Sequence, residues 1–209
     1  MNMAITLRPL QAVFPLMTRF HEQQLLAANN RSWLSQMVRS QRSGRTCLPY
    51  FLGLSPVDYQ WMMHHQLLGR QRRMPVLALL TSEQDHQHFS GDLRQQLLEM
   101  RRDEWLEIRN LLRNNRAGKT DCECLLADIL AAGCLGGDHL WRDLGLNNRG
   151  ELSALMQQNF PQLATANSGD MKWKKFFYKQ LCELGGGYVC RAPSCDQCTA
   201  YDDCFGAED

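Results

Sequence analysis

Apolar residues recur along this chain at intervals of three and four, the spacing that gathers side chains on one face of an α-helix, and the strict alternation of a strand is nearly absent. Ser55-Pro56-Val57-Asp58 puts a capping hydroxyl, a proline at the first helical position and an acid at the third. It predicts a helix over residues 55–68. Leu93, Leu97, Met100, Ile108 and Leu112, with Trp105 beside them and charges opposite, predict one long amphipathic helix over residues 90–115, closed by Gly118. Thr120-x-x-Glu123 has the pattern of a capping box, and the apolar run over residues 125–132 predicts a buried helix stopping at Gly133. Asn148-x-x-Glu151 resembles a second such start, followed by Leu152, Leu155 and Met156 and ended before Pro161.

A last helix is predicted over residues 169–184, with Trp173, Phe176, Phe177, Gln180 and Leu181 on one side and Gly185-Gly186-Gly187 ending it. Shorter helical patches fall near residues 17–29 and 32–40. Only residues 75–80 have a strand-like look, over too short a run to decide. The pattern implies an all-α, compact helical bundle over residues 1–184, with an irregular cysteine-rich segment, residues 185–209, packed on it.

Length changes this picture little: 209 residues suit one domain with a short appendix. Hydrophobic residues at 44% and charged residues at 22% exclude a disordered composition. A net charge of +1 removes the field expected of a dedicated nucleic-acid or membrane-surface binder. Local basic clusters at residues 70–73, 101–102 and 172–175 read as solvated helix faces. Residues 1–20 are interrupted by Arg8 and followed by no small-residue cleavage pattern. The best apolar run, residues 125–135, contains Asp128 and falls short of the roughly 18 residues a membrane span needs. The expectation is a soluble, cytoplasmic protein without nucleic-acid or membrane partners.

Cysteine usage matters more. Nine cysteines without an export signal imply a reducing compartment, where thiols stay free or bind metal. Cys47, Cys122, Cys124, Cys134 and Cys182 are scattered, and each reads as a small buried hydrophobe. Cys122 and Cys124 begin a helix, where a thiol can be acidified, but two residues apart they face different directions. In contrast, Cys190-x4-Cys195-x2-Cys198-x5-Cys204 brings four soft thiolates into one short segment, with a pair at the x2 spacing that reaches one inorganic centre. Such a segment cannot bury a core, so metal ligation would supply its folding energy.

An iron-sulfur cluster is the leading reading of the four. Zinc modules generally split their ligands into two pairs across a longer finger, and disulfides are rare in a reducing compartment. The spacing is also close to the C-x6-C-x2-C-x5-C cluster loop of helix-hairpin-helix DNA glycosylases. Its first interval is two residues shorter, and no glycine turn with a following catalytic lysine and aspartate accompanies it.

The stretches Cys47-Leu-Pro-Tyr-Phe-Leu-Gly-Leu54, Asp138-His-Leu-Trp-Arg-Asp-Leu-Gly-Leu146 and Met171-Lys-Trp-Lys-Lys-Phe-Phe-Tyr178, then Gln180-Leu-Cys182 and Cys190 through Phe205-Gly206, resemble the NifQ family of nitrogen fixation and molybdenum handling. The resemblance is dense from Asp138 onward. It implies that Cys190, Cys195, Cys198 and Cys204 bind iron, sulfur and molybdenum. It further implies a carrier, not an enzyme, that takes molybdenum from molybdate or another source. Its implied recipients are the cofactor scaffold NifEN and the nitrogenase iron protein NifH, for assembly of the iron-molybdenum cofactor.

A donor must release its cargo, so one ligand should be exchangeable. Cys195 and Cys198 are read as permanent iron ligands, and Cys190 or Cys204 as the replaceable one. Asp138 and His139 could add an oxygen or an imidazole to molybdenum, although a helix N-cap acid beside a structural histidine is the stronger reading. Lys172, Lys174 and Lys175 read as an oxyanion or acidic-partner attractor, or equally as an exposed basic face. Trp141, Trp173, Phe176 and Phe177 read as core or as a dry wall near the cluster. His64, His65, His86 and His88 have no partner at metal spacing. Stiffening Gly185 to Gly187 tests whether they form a hinge for transfer.

Overall fold

A computed structural model describes residues 14–67, 85–185 and 201–208, and all of its regular elements are helical. They are α1 (Phe14–Arg42), α2 (Pro56–Met62) continuing as one π turn (Met63–Leu67), α3 (Asp85–Met100), α4 (Arg102–Asn114), α5 (Cys122–Cys134), α6 (Leu140–Asp143), α7 (Arg149–Asn159), α8 (Pro161–Ala166), α9 (Trp173–Leu184) and α10 (Tyr201–Phe205). The all-α expectation holds. The strand-like run at residues 75–80 lies outside the described residues, as do Cys190, Cys195 and Cys198.

Helix α5 is the centre of the fold. Twelve of its thirteen residues are buried, with only Cys124 partly open, and α1, α2, α4 and α6 pack around it. That arrangement follows from its composition: Leu125, Leu126, Ala127, Ile129, Leu130, Ala131 and Ala132 leave no polar side to face water. Its one mid-helix charge, Asp128, is met by Arg109 Nε at 2.9 Å and Arg113 Nη2 at 2.7 Å from α4. Burial still outweighs both guanidiniums and holds the Asp128 carboxyl above its ordinary range. Close approach also needs small residues. Gly53, at φ 86°, lies where an added Cβ would come within 2.5 Å of Ala132 Cβ.

The helix starts were written locally. Ser55 Oγ accepts from Asp58 N, and Asn148 Oδ1 accepts from Glu151 N, both as their sequences predict. The box at Thr120 forms by half. Glu123 accepts from the backbone N–H groups of Gly118, Lys119 and Thr120, whereas the Thr120 hydroxyl accepts from Asn30 Nδ2 at 3.1 Å.

Three boundaries differ from expectation for reasons that lie across the fold. The two N-terminal patches are one helix, α1, because buried Asn30 exchanges amide hydrogen bonds with Asn159 and so carries its polar group through the interior. The long amphipathic helix is broken at Arg101, whose φ of −109° ends the regular path. Its guanidinium reaches Leu135 O at 2.8 Å and Glu104 at 2.7 Å, which holds the bend. Consequently Ile108 and Leu112 are buried whereas Leu93, Leu97 and Met100 face solvent. Helix α4 ends at Asn114, within one residue of the expected 115, whereas the last helix starts at Trp173 instead of residue 169.

Candidate metal centre

The C-terminal end of the chain returns to the body through α9 and α10. Trp173, Phe176 and Phe177 are buried on one side of α9, with ring centroids 5.8 to 5.9 Å apart, so its aromatic face is core. Gly185 follows this helix, and residues 186–200, which include three of the four clustered cysteines, lie outside the described residues.

On the far side, α10 carries Cys204 and is bound back to the start of α9. Lys172 N donates to Cys204 O at 2.7 Å, and Lys172 Nζ donates to Asp202 O at 2.8 Å. Phe205 and Cys204 pack against the core, and Tyr201 stacks on Phe205 with centroids 4.6 Å apart. Beyond the helix, the Glu208 carboxylate is only 4% exposed and forms an ion pair with Arg149 of α7. Arg149 also holds Asp170 O and Oδ1 at 2.8 Å, so one guanidinium joins α7, the turn before α9 and the end of the chain. The cysteine-bearing segment is therefore entered from a buried helix and left through a clamped one.

Asp138 is not the N-cap acid expected of it: it stands one residue before the N-cap of α6, and no side chain caps that helix. Asp138 Oδ1 accepts from His139 N at 2.7 Å, and His139 occupies the N-cap position of α6. His139 Nδ1 lies 3.7 Å from Glu208 Oε1, which brings it to the clamp. Among the described residues no three His, Cys, Asp or Glu side chains gather in a metal-binding group.

The lysine cluster is not a uniform basic face. Lys174 is mostly buried and forms an ion pair with buried Asp143, while its Nζ also donates to Gly136 O at 2.8 Å. Lys172 belongs to the clamp, and Lys175 is exposed. Sequence reasoning missed the Lys174–Asp143 pair and the Arg149–Glu208 pair because their partners are far apart in the chain. The run of three lysines about Trp173 offered no sign of which one turns inward.

Around Lys174 and Asp143 sit two thiols. Burial, with a smaller push from Asp143, drives the Cys47 thiol up to about 12. Burial does the same to Cys134, also to about 12, and raises Cys122 to about 11. Cys122 and Cys134 are buried and Cys134 fits its reading as a small hydrophobe, whereas Cys47, Cys124 and Cys182 are only partly buried. The dipole at the start of α5 does not overcome the burial of Cys122.

The described geometry thus defines an all-α protein with a cysteine-bearing C-terminal helix clamped to its core. The sequence profile of NifQ matches residues 33–206, a span that includes all four clustered cysteines. Protein NifQ of Azotobacter vinelandii is 52% identical over 181 residues, covering 86% of this chain and 89% of the relative. Protein NifQ of Klebsiella pneumoniae is 35% identical over 184 residues, covering 83% and 96%. The NifQ homolog of Sinorhizobium fredii is 50% identical over 97 residues, covering 46% of this chain and 42% of its own length. No solved structure matches the chain. The chain belongs to the NifQ family, whose name ties it to nitrogen fixation, and the DNA-repair alternative is set aside by that membership.

Proposed function

We propose that this protein is a cytoplasmic carrier which binds a molybdenum-iron-sulfur cluster on Cys190, Cys195, Cys198 and Cys204 and gives up molybdenum for assembly of the nitrogenase iron-molybdenum cofactor. The observation that carries the reading is the spacing of four thiolates in a segment that a NifQ profile spans. Thiolates are soft donors suited to iron-sulfur centres, and a segment without its own core gains its folded form from metal bonds. The cluster is cargo, so the protein acts by ligand exchange and has no catalytic residues.

The clamp on α10 gives the exchange a direction. Because the backbone of Cys204 is bound to Lys172, Cys204 is assigned with Cys195 and Cys198 to the holding set, and Cys190 to the exchangeable position. The recipients are the scaffold NifEN and the iron protein NifH, and molybdate or a derived species is the source. Among the described residues no helix is long and apolar enough to cross a membrane, consistent with delivery between proteins in one compartment.

Single alanine changes at the four cysteines test the assignment. Cys195→Ala, Cys198→Ala and Cys204→Ala should lose iron and molybdenum together, whereas Cys190→Ala should keep iron and lose molybdenum preferentially. Equal loss of both metals from all four variants contradicts the division of roles, and unchanged metal in all four contradicts the site.

A further inference from the structure

Helix α3 meets the body through Leu98, which is buried, with its Cδ1 3.5 Å from the place where a Cβ on Gly53 would stand. Another side of the same helix faces water. Leu93, Leu97 and Met100 are 50%, 49% and 82% exposed. Their spacing of four and three gathers them within about 60° of arc, centred roughly 130° round the helix from Leu98. One exposed leucine is ordinary, but three in register make a stripe that calls for a cover.

The stripe adjoins a groove of about 350 Å³ between α3 and the end of α5, whose apolar walls are Pro49, Leu97, Leu98, Ala132 and Leu135. Leu97 belongs to both. Stripe and groove thus form one continuous apolar surface on the outer side of α3.

The chain itself supplies a matching segment. Residues 68–84 join Leu67 to Asp85 and lie outside the described residues. They contain Met74-Pro-Val-Leu-Ala-Leu-Leu80, seven apolar residues in succession, and then only the polar link Thr81-Ser-Glu-Gln84 before α3 begins. A link of that length commonly joins segments that lie side by side in a compact fold. Reach is sufficient. The eleven residues from Met74 to Gln84 extend to about 36 Å, whereas Met100 stands about 22 Å along the helix from Asp85.

Charge and tethering favour the same occupant. Arg70, Arg72 and Arg73 precede the apolar run, so a run laid back along α3 brings them toward its Met100 end. Glu99 and Asp103 are exposed there. A four-residue tether also holds the run at an effective concentration on the order of millimolar, which a second copy of the chain in dilute solution does not match.

We propose that the run from Met74 to Leu80 docks on the Leu93, Leu97 and Met100 face of α3 in its own chain. The apolar stripe is then an internal interface, and apposing it to the run removes both from water. This docking is independent of the cluster reading, since it uses none of the four clustered cysteines.

The test uses the full chain with valine, leucine and methionine methyls labelled for NMR, and the signals lost in Val76→Ala identify the run. The expected result is nuclear Overhauser contact between the Val76 methyls and those of Leu93, Leu97 or Met100. Mixing labelled with unlabelled chains shows whether such contacts stay within one copy. Leu97→Glu should abolish them and speed tryptic cleavage after Arg73 at least tenfold, with helicity by circular dichroism unchanged. The double change Leu77→Ser and Leu79→Ser should speed the same cleavage from the other side of the interface. Absence of contact between Val76 and α3, contacts that cross only between copies, or cleavage unchanged in both variants would each overturn the proposal.

Discussion

Glu123 accepts hydrogen bonds from three successive backbone N–H groups while being 1% exposed, so one side chain satisfies the turn that leads into α5. Bonds to a charged group are worth about 1.5 to 3 kcal/mol each, and buried donors left without one add a desolvation cost. Glu123→Ala should therefore lower unfolding stability by roughly 2 to 4 kcal/mol, read from urea midpoints. A loss within about 0.5 kcal/mol, typical of an open surface position, would mean the turn is satisfied by other means.

The buried thiols set a pH dependence at the same scale. Burial raises Cys47 and Cys134 to about 12 and Cys122 to about 11, from an ordinary 9.0. A group raised in the folded state contributes stability that is complete below its unfolded value and lost as pH rises toward the folded one. Stability should therefore be unaffected by these thiols below about pH 8 and fall between about pH 9 and 12. Alkylation at pH 8 should likewise spare the buried Cys122 and Cys134 in the native, metal-free chain and reach them only in denaturant. Rapid native labelling of Cys134 would contradict its burial.

Some residue roles were legible in the sequence because they are settled within four positions. Ser55 with Asp58, and Asn148 with Glu151, each close a local ring that no distant contact can alter. Thr120 shows the limit. Its partner is Asn30, brought in by the fold, and no local rule can predict that choice. Lys174 is the same case at greater consequence, since its partner Asp143 turns a residue of an apparent basic face into part of the interior.

At the scale of elements, periodicity found helices reliably and their ends less so. Breaks came from interactions with a distant partner: Arg101 bends the α3–α4 path by reaching Leu135 O, and Asn30 keeps α1 whole by bonding to Asn159. The packing of α9 on α4 also rests on a long-range polar pair, in which Tyr178 Oη donates to Glu104. Burial, then the hydrogen bond to Glu104, pushes the Tyr178 hydroxyl well above the ordinary phenol range.

Helix α10 has five residues, too few to be stable alone, so its position rests on the clamp. Arg149→Met would leave the Glu208 carboxylate buried without its cation. Breaking such a pair in a rigid interior costs about 3 to 5 kcal/mol, but a five-residue helix held by few contacts can escape that cost by undocking. The expected outcome is faster proteolytic cleavage near the C-terminus and faster loss of bound metal, with little change in the melting temperature of the helical body. A large fall in melting temperature with no change in cleavage would show that the tail stays docked and the body bears the strain.

The described residues form a helical body organised around α5, to which α10 is fastened at the start of α9. The body depends on its aromatic cluster: Phe177 is fully buried, and Phe177→Ala should cost about 3 to 5 kcal/mol. The fold class was legible because helical periodicity dominates the chain. The four-cysteine series stands out in the sequence because its spacing is local, and three of its members lie outside the described residues, whereas a cleft between α1 and the α6–α7 turn leaves no spacing to find.

The central claim is that this chain carries molybdenum with iron and sulfur on its four clustered cysteines. It is tested most directly by isolating the full-length protein anaerobically from nitrogen-fixing cells supplied with molybdate, then measuring iron, acid-labile sulfide, molybdenum and zinc per chain. The account predicts iron, sulfide and molybdenum together in near-integral ratios, all lost when the four cysteines are changed to alanine. Zinc alone, or iron and sulfide with no molybdenum despite the molybdate supply, would contradict it.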